Sequence, residues 1–286
     1  MLDPTSEGSE NTAATNGTDG SHAHAAALVA ASLNEPDREI STDLTRPALL
    51  TRATASVVIP TLNEERNVAW VLARLPAGLH EVILVDGGST DDTVEIARTV
   101  YPDIRVVIER RPGKGAALRA GFAEASGDYV VMLDGDGSMN PSEIPRFISA
   151  LDNGCDFVKG SRFAPGGGTR DMTVVRRVGN GALMTAVNVL YRTRFSDLCY
   201  GYMAFRRDRL PALRLDSDGF EIETEMVARA VIAGLRIAEV PSFENERGCG
   251  HSHLRPWRDG RRVLNTLLSE RFVLPPTPVV VPRVAR

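Results

Sequence analysis

Cysteine is scarce: the 286 residues contain three, Cys155, Cys199 and Cys249. Their spacing fits no CxxC metal pattern, and an odd number makes a poor disulfide framework. A reducing, cytoplasmic setting is the simplest reading. Long hydrophobic runs are also missing. No stretch approaches the ~18–20 apolar residues needed to span a bilayer, and the apolar tail over 273–281 is broken by Pro275, Pro276 and Pro278. The N-terminus starts acidic and polar, and the Ala-rich run at 25–31 has no basic flank, which argues against a signal peptide. There is no charge excess either. The formal net charge is −4, which gives no reason to expect nucleic acid as a partner.

What is present is an ordinary globular composition, 43% hydrophobic and 24% charged, enough to bury a sizeable core. Residues 1–50 stand apart. They carry eight acids against two bases, are rich in Ser, Thr, Ala, Gly and Asn, and are expected to be a disordered extension. A single folded domain is expected over 51–272, followed by the Pro-rich tail 273–286. Within it, short β-branched runs at 56–59, 81–85, 104–108, 128–133 and 157–158 alternate with helical spacing at 64–75, 89–100, 115–125 and 141–151. That alternation predicts an α/β fold with a mostly parallel sheet flanked by helices. After 160 the alternation weakens. A Gly-rich loop at 164–169 precedes expected helices at 174–191 and 220–233 and strands at 202–205 and 236–240.

Ligands of parallel sheets bind outside the carboxyl ends of the strands. Three polar segments fall at such ends: Thr61–Glu64, Asp86–Ser89 and Asp134–Ser138. In the third, two carboxylates one residue apart on a turn can point to the same side, and Gly135 lets the backbone bend. Hard cations such as Mg2+ and Mn2+ favour oxygen ligands, often one or two carboxylates plus substrate phosphates. Asp134 and Asp136 are therefore candidate metal ligands, with Ser138 as a third, directly or through water. A solvated acidic turn is the alternative; the two neighbouring polar strand ends favour the metal. An EF-hand is excluded because the later ligands of its loop are missing. A P-loop around Lys114 is excluded because Gly115 stands where Ser or Thr is required.

Taken together, Val57-Val-Ile-Pro-Thr-Leu-Asn-Glu64, Val85-Asp-Gly-Gly-Ser-Thr-Asp-Asp92, Pro112-Gly-Lys-Gly115 and Leu133-Asp-Gly-Asp136 resemble the inverting glycosyltransferases of family 2, in particular the dolichyl-phosphate mannose synthase-like branch. The resemblance covers about residues 54–255 and implies the GT-A fold, with a nucleotide-sugar half at 54–160 and an acceptor half at 161–272. It implies that Pro60, Thr61, Leu62 and Glu64 line the nucleoside pocket, that Asp86 beside Gly87 accepts hydrogen bonds from the base, and that Lys114 lies near the nucleotide. Gly160-Ser-Arg162 resembles a segment whose Arg lies close to the active site. Asp197–Tyr202 resembles an acceptor-side Asp-x-x-Ser-Gly-Phe segment, with Tyr200 in the place of Ser. Arg247-Gly-Cys-Gly-His-Ser-His253 resembles a loop that closes on the diphosphate, with His253 in the place of Lys.

The implied reaction moves a hexose from a UDP- or GDP-linked donor to a hydroxyl, amine or phosphate acceptor, with inversion and with Mg2+ or Mn2+. A hydroxyl acceptor needs a general base. Glu223 is one candidate: on its expected helix it shares a face with Met226, Val227 and Ala230, so it should be partly buried near the helix start. Glu221 and Glu225 are expected to be solvated. Asp197 is the second candidate base. A sugar-1-phosphate nucleotidyltransferase is the runner-up, disfavoured because its Gly-rich basic loop is missing after the first strand. A polyprenyl-phosphate acceptor would require peripheral contact with the inner membrane surface through Arg255, Trp257, Arg258, Arg261 and Arg262 followed by Leu264, Leu267 and Leu268. The same helix would equally close a soluble fold or a homodimer. A soluble acceptor is favoured here because no anchoring segment exists.

Overall fold

The structure, a computed structural model, describes residues 27–31, 51–249 and 256–272. Its core is a seven-stranded sheet in the order β3-β2-β1-β4-β7-β5-β8. The strands are β1 (Ala55–Thr61), β2 (Glu81–Asp86), β3 (Arg105–Ile108), β4 (Tyr129–Met132), β5 (Phe157–Ser161), β7 (Met203–Arg206) and β8 (Ile237–Pro241). Pairing is parallel except where β7 runs antiparallel between β4 and β5. β6 (Gly168–Thr169) and β9 (Phe243–Glu244) form a separate two-stranded ribbon. The expected α/β fold is the one observed.

Side chains alternate between two cores because the strand period is two. Val57, Ile59, Val82, Leu84 and Val131 enter one core. Val58, Ile83, Val85, Val130 and Met132 enter the other. The first is covered by α1 (Val68–Ala73), α2 (Thr93–Val100) and α4 (Ile144–Asp152); the second by α3 (Lys114–Glu124) and α7 (Ile222–Ile232). The short α6 (Leu210–Leu213) precedes α7, and α5 (Val174–Tyr191) lies beside α8 (Pro256–Phe272).

Several boundaries differ from expectation for identifiable reasons. β1 does not stop at Pro60 but runs through it. Its pairing to β4 already ends at Val58, so the N–H that Pro lacks leaves no gap on that side. The helix expected from Glu64 begins at Val68: residues 65–67 form a turn in which Asn67 N and Val68 N both donate to Glu64 O at 2.9 Å, and Glu64 N donates to Thr93 Oγ1 at 2.8 Å. Within the stretch 1–50, residues 27–31 are helical, and Leu28 and Val29 pack on the first core. Among the described residues no helix is long and apolar enough to cross a membrane.

Candidate active site

The three polar strand ends do converge, since β2, β1 and β4 are neighbours. The first two loops are tied directly. Gly87 N donates to Thr61 O (2.9 Å), Asn63 N to Ser89 Oγ (2.9 Å), and Thr90 N to Asn63 Oδ1 (2.8 Å). The third sits on top of β1. A Cβ on Gly135 would lie 2.6 Å from Thr61 Cγ2, so Gly is demanded by contact with β1 rather than by bending alone. Asp136 Oδ1 accepts from Ser138 N at 2.9 Å, which aims Oδ2 away from its own turn.

A cavity of about 980 Å3 opens over these ends. Pro60, Thr61, Leu62, Glu64, Gly87, Lys114, Asp134, Gly135, Asp136, Ser138, Arg162, Glu223 and Arg247 all line it. Two expected site residues do not. Asp86 is buried beside it, and its oxygens accept from Gly88 N (3.0 Å), Ser89 N (3.0 Å) and Ser89 Oγ (2.5 Å), so the carboxylate holds its own turn. Asp197 is fully buried behind Arg162. His253 and Arg255 lie outside the described residues, as does the side chain of Trp257.

At the centre, four carboxylates meet two cations. Lys114 Nζ lies 2.5 Å from Asp134 Oδ1 and 2.6 Å from Glu223 Oε1. Arg247 bridges Glu64 Oε1 (3.1 Å) and Asp136 Oδ2 (2.7 Å). With all six ionised, two negative charges remain uncompensated. The shortage shows in the acids. Burial pushes Glu64 up to about 7, against its bonds from Asn67 and Arg247, and the charges of Asp136 and Asp134 push the same way. Burial likewise raises Asp134 to about 6, against Lys114 and with the charges of Asp136 and Glu223. Burial alone would lower the Lys114 ammonium, but Asp134 and Glu223 outweigh it and hold it above its ordinary value.

Long-range contacts bring these groups together. The N-terminus of α3 is pinned to the loop before α7, with Gly115 N donating to Asp218 O at 2.8 Å. A Cβ at Gly113 or Gly115 would strike Asp218 or Ser217. The glycines flanking Lys114 thus bring it against Glu223. Segment 245–249 crosses the acidic turn: Asn245 N donates to Ser138 O (2.8 Å), and Cys249 and Asn67 exchange two hydrogen bonds.

On the acceptor side, Arg162 is a buried hub. Its Nε and Nη2 donate to Asp197 (2.7 and 2.9 Å), its Nη1 to Glu244 (3.0 and 3.1 Å), and its Nη2 also to Cys199 O (2.7 Å). Burial alone would raise the Asp197 carboxyl, but Arg162 holds it below its ordinary value. Asp197 therefore positions Arg162 and is not placed to take a proton from an acceptor, which corrects its expected role as a base. Tyr200, in the place of a Ser, stacks over the guanidinium at 4.9 Å and bonds Ser242 through its hydroxyl. Glu225 also departs from expectation. It is fully buried, paired with Arg229 (2.8 Å) and bonded by Asp216 N and Ser217 N.

Other lining residues escaped the sequence reading. Arg110 and Arg111 stand at the nucleotide end and Arg176 and Glu244 at the acceptor end. Gly201 faces Glu223 and Lys114, where a Cβ would lie 2.9 Å from Lys114 Nζ and closer still to Glu223. The signal for Gly201 lay within the segment resembling Asp-x-x-Ser-Gly-Phe. Glu244 sits on a two-residue strand that leaves no periodicity to read.

The model of the family described as "Glycosyl transferase family 2" matches residues 56–213, and the chain belongs to that family. It is 36% identical over 210 residues to the glycosyltransferase AglJ of Haloferax volcanii, covering 71% of this chain and 67% of the relative. It is 34% identical over 211 residues to a polyprenol monophosphomannose synthase of Mycolicibacterium smegmatis, covering 69% and 80%. Among solved structures it resembles glucosyl-3-phosphoglycerate synthase from Mycobacterium tuberculosis in complex with Mn2+, UDP and glucosyl-3-phosphoglycerate. The TM-score is 0.59 at 29% identity, covering 77% of this chain and 80% of the other. The chain is thus a glycosyltransferase with the GT-A fold.

Proposed function

We propose that this chain transfers a hexose, with inversion, from a UDP- or GDP-linked donor to a phosphate-bearing acceptor with an apolar chain, and that the transfer depends on Mg2+ or Mn2+. The observation that carries the metal is the central cluster, four carboxylates against two cations. Asp134 and Asp136 supply hard oxygen donors that fit such an ion. Among the described residues no group of three or more His, Cys, Asp or Glu forms a metal site by itself. That suits an ion whose remaining ligands come from substrate phosphates. When bound, the cation supplies charge stabilisation for the departing diphosphate.

The side chains divide the remaining work. Arg247 and Lys114 each touch an acid that would hold the ion, so both are placed to turn toward the diphosphate as its negative charge grows. Pro60, Thr61, Leu62 and Gly87 offer a surface for the nucleoside. At the far end, Arg176 stands near an apolar wall of Met172, Val175, Val178, Ala182 and Val263. A phosphate at Arg176 with its chain along that wall uses both features. The wall also moves the preference from a soluble acceptor to a polyprenyl phosphate. Because such an acceptor is already ionised it needs no base, and Glu223 then serves to hold Lys114.

The test is product analysis with UDP- and GDP-hexoses, with and without Mn2+, against polyprenyl phosphate and against a small phosphorylated hydroxy acid. Metal-dependent release of nucleoside diphosphate and a glycosylated polyprenyl phosphate are expected. Pyrophosphate released when a nucleoside triphosphate and a hexose 1-phosphate are supplied instead would assign a nucleotidyltransferase. Glu223→Gln separates the acceptor classes, since loss of a general base costs about 10²–10⁴ in rate. A phosphate acceptor should escape most of that loss.

A further inference from the structure

The cavity does not end in a polar rim. Val174, Val175 and Val178 line it and are nevertheless 78%, 62% and 68% exposed. They sit on the first turns of α5, so its mouth is edged by apolar side chains facing water. Beside it, α8 carries two apolar stripes. Val263 and Leu267 point inward and are buried. One residue further along, Leu264, Leu268 and Phe272 recur at the i, i+4 spacing of one helix face and are exposed, Phe272 at 78%. Only the inner stripe is used by the fold. The two helices run side by side, joined by Tyr191 Oη to Leu267 O (2.8 Å) and Arg271 Nε to Leu190 O (3.1 Å).

Charge decides among occupants. On α8, Arg258, Arg261, Arg262 and Arg271 are exposed. Against these stand two acids in its sequence, Asp259 and Glu270, and Glu270 is engaged by Arg229 at 2.8 Å. Across its 18 residues, α5 holds Arg176 and Arg177 and no acid. The chain has only two lysines, Lys114 and Lys159. Both take part in the buried networks, so every lysine or arginine exposed at this face is an arginine, whose planar fork matches phosphate oxygens. A basic helix surface carrying exposed Leu and Phe fits the interface of an anionic bilayer. A second copy of the same face would set arginine against arginine.

We propose that the outer faces of α5 and α8 dock onto an anionic lipid surface, placing the apolar mouth of the cavity at headgroup level so that the acceptor enters from the membrane. This rests on the acceptor reading above and names the partner that presents it.

The experiment is co-sedimentation of the full chain with vesicles of phosphatidylcholine alone or mixed with phosphatidylglycerol. The expected result is binding to the mixed vesicles, weak binding to phosphatidylcholine, and weakening by salt. The triple variant L264E/L268E/F272E should bind roughly tenfold less, and the charge variant R258E/R261E/R262E should lose the preference for phosphatidylglycerol. Both keep the wild-type melting temperature and metal-dependent donor hydrolysis, because none of the six residues touches the central cluster. Equal sedimentation of wild type and the triple variant, or none by wild type, overturns the proposal. So does light scattering showing a dimer that the triple variant dissolves, which would assign the face to a second copy. Loss of donor hydrolysis in the wild type with vesicle binding intact would instead sink the transferase reading and leave docking standing.

Discussion

The nucleotide half and the acceptor half of the site are assembled by different means. Around Asp134 the loops are short, follow adjacent parallel strands, and are stitched by backbone-directed bonds between segments 26 to 29 residues apart. Around Arg162 the ties are side-chain ion pairs across 35 and 82 residues. The Lys159 ammonium adds a bond to Asp197 O (2.5 Å) and faces Glu239 at 3.5 Å. The strand-end loops of one half inherit their geometry from the sheet, with Lys114 and Arg247 added by pairs across 109 and 183 residues, while the other half depends on a few buried charges throughout. Substitutions in the two halves should therefore fail in different ways.

The largest effect is expected on the acceptor side. Asp197→Asn leaves the buried Arg162 guanidinium with one carboxylate, Glu244, instead of two, and breaking a buried pair costs up to about 3–5 kcal/mol. Thermal unfolding should show a large drop in melting temperature, with activity falling alongside it. The pH dependence has a definite sign. The folded pKa of Asp197 is depressed, so its stabilisation is present above the ordinary carboxylate range and is lost as pH falls through the lower folded value. A variant that melts like wild type would show that the ion pair does not hold this half.

The nucleotide side should show the converse. Asp136→Ala removes one of the two proposed metal ligands and leaves Arg247 paired with Glu64 alone, with the strands beneath untouched. Turnover should fall about 10²–10³-fold, with a wild-type melting temperature. Calorimetry sharpens the point. The cluster is short of positive charge, so free UDP should bind poorly without Mn2+, and each ligand should raise the affinity for the other. UDP affinity independent of Mn2+ would break the charge argument.

This difference also explains what could be read in advance. β1, β2 and β4 announce themselves because their Val, Ile and Leu runs are buried on both faces, and the acidic turn follows from the end of β4. The helix at 174–191 was legible by its period. Glu225 was not. Its partners Asp216, Ser217 and Arg229 are set by how a loop folds back, and no spacing rule predicts that an acid in an amphipathic helix will be satisfied. Asp197 was misread for the same reason: beside the acceptor in sequence terms, it points in space to Arg162. Asp86 is a different case, where the residue sits at the expected strand end and its carboxylate also holds the turn that follows.

A smaller effect concerns pH at the nucleotide end. The folded pKa of Glu64 is raised to about 7 from 4.5. Without ligands its ionisation disfavours the folded state, so its contribution to stability is highest below about 4.5, declines as pH rises to about 7 and levels off above it, a fall on the order of 3 kcal/mol. Melting curves from pH 5 to 8 should show this decline in the empty protein, and Glu64→Gln should flatten it. Saturating Mn2+ should also reduce it by supplying the missing positive charge. An identical slope in the Gln variant would locate the titration elsewhere.

The smallest effect tests where the two halves touch. Gly201 belongs to the acceptor-side segment, yet its missing side chain makes room for Lys114 and Glu223. In Gly201→Ala the added methyl meets the end of the Glu223 side chain, which can swing aside, so stability should change by less than about 1 kcal/mol. The displaced carboxylate would no longer hold Lys114 on Asp134. Turnover should then fall roughly tenfold, the equivalent of about 1.4 kcal/mol, mostly in kcat because the nucleoside wall is unchanged. A loss confined to acceptor KM would mean that Gly201 shapes the acceptor pocket and that the Lys114–Glu223 pair does not carry the coupling between halves.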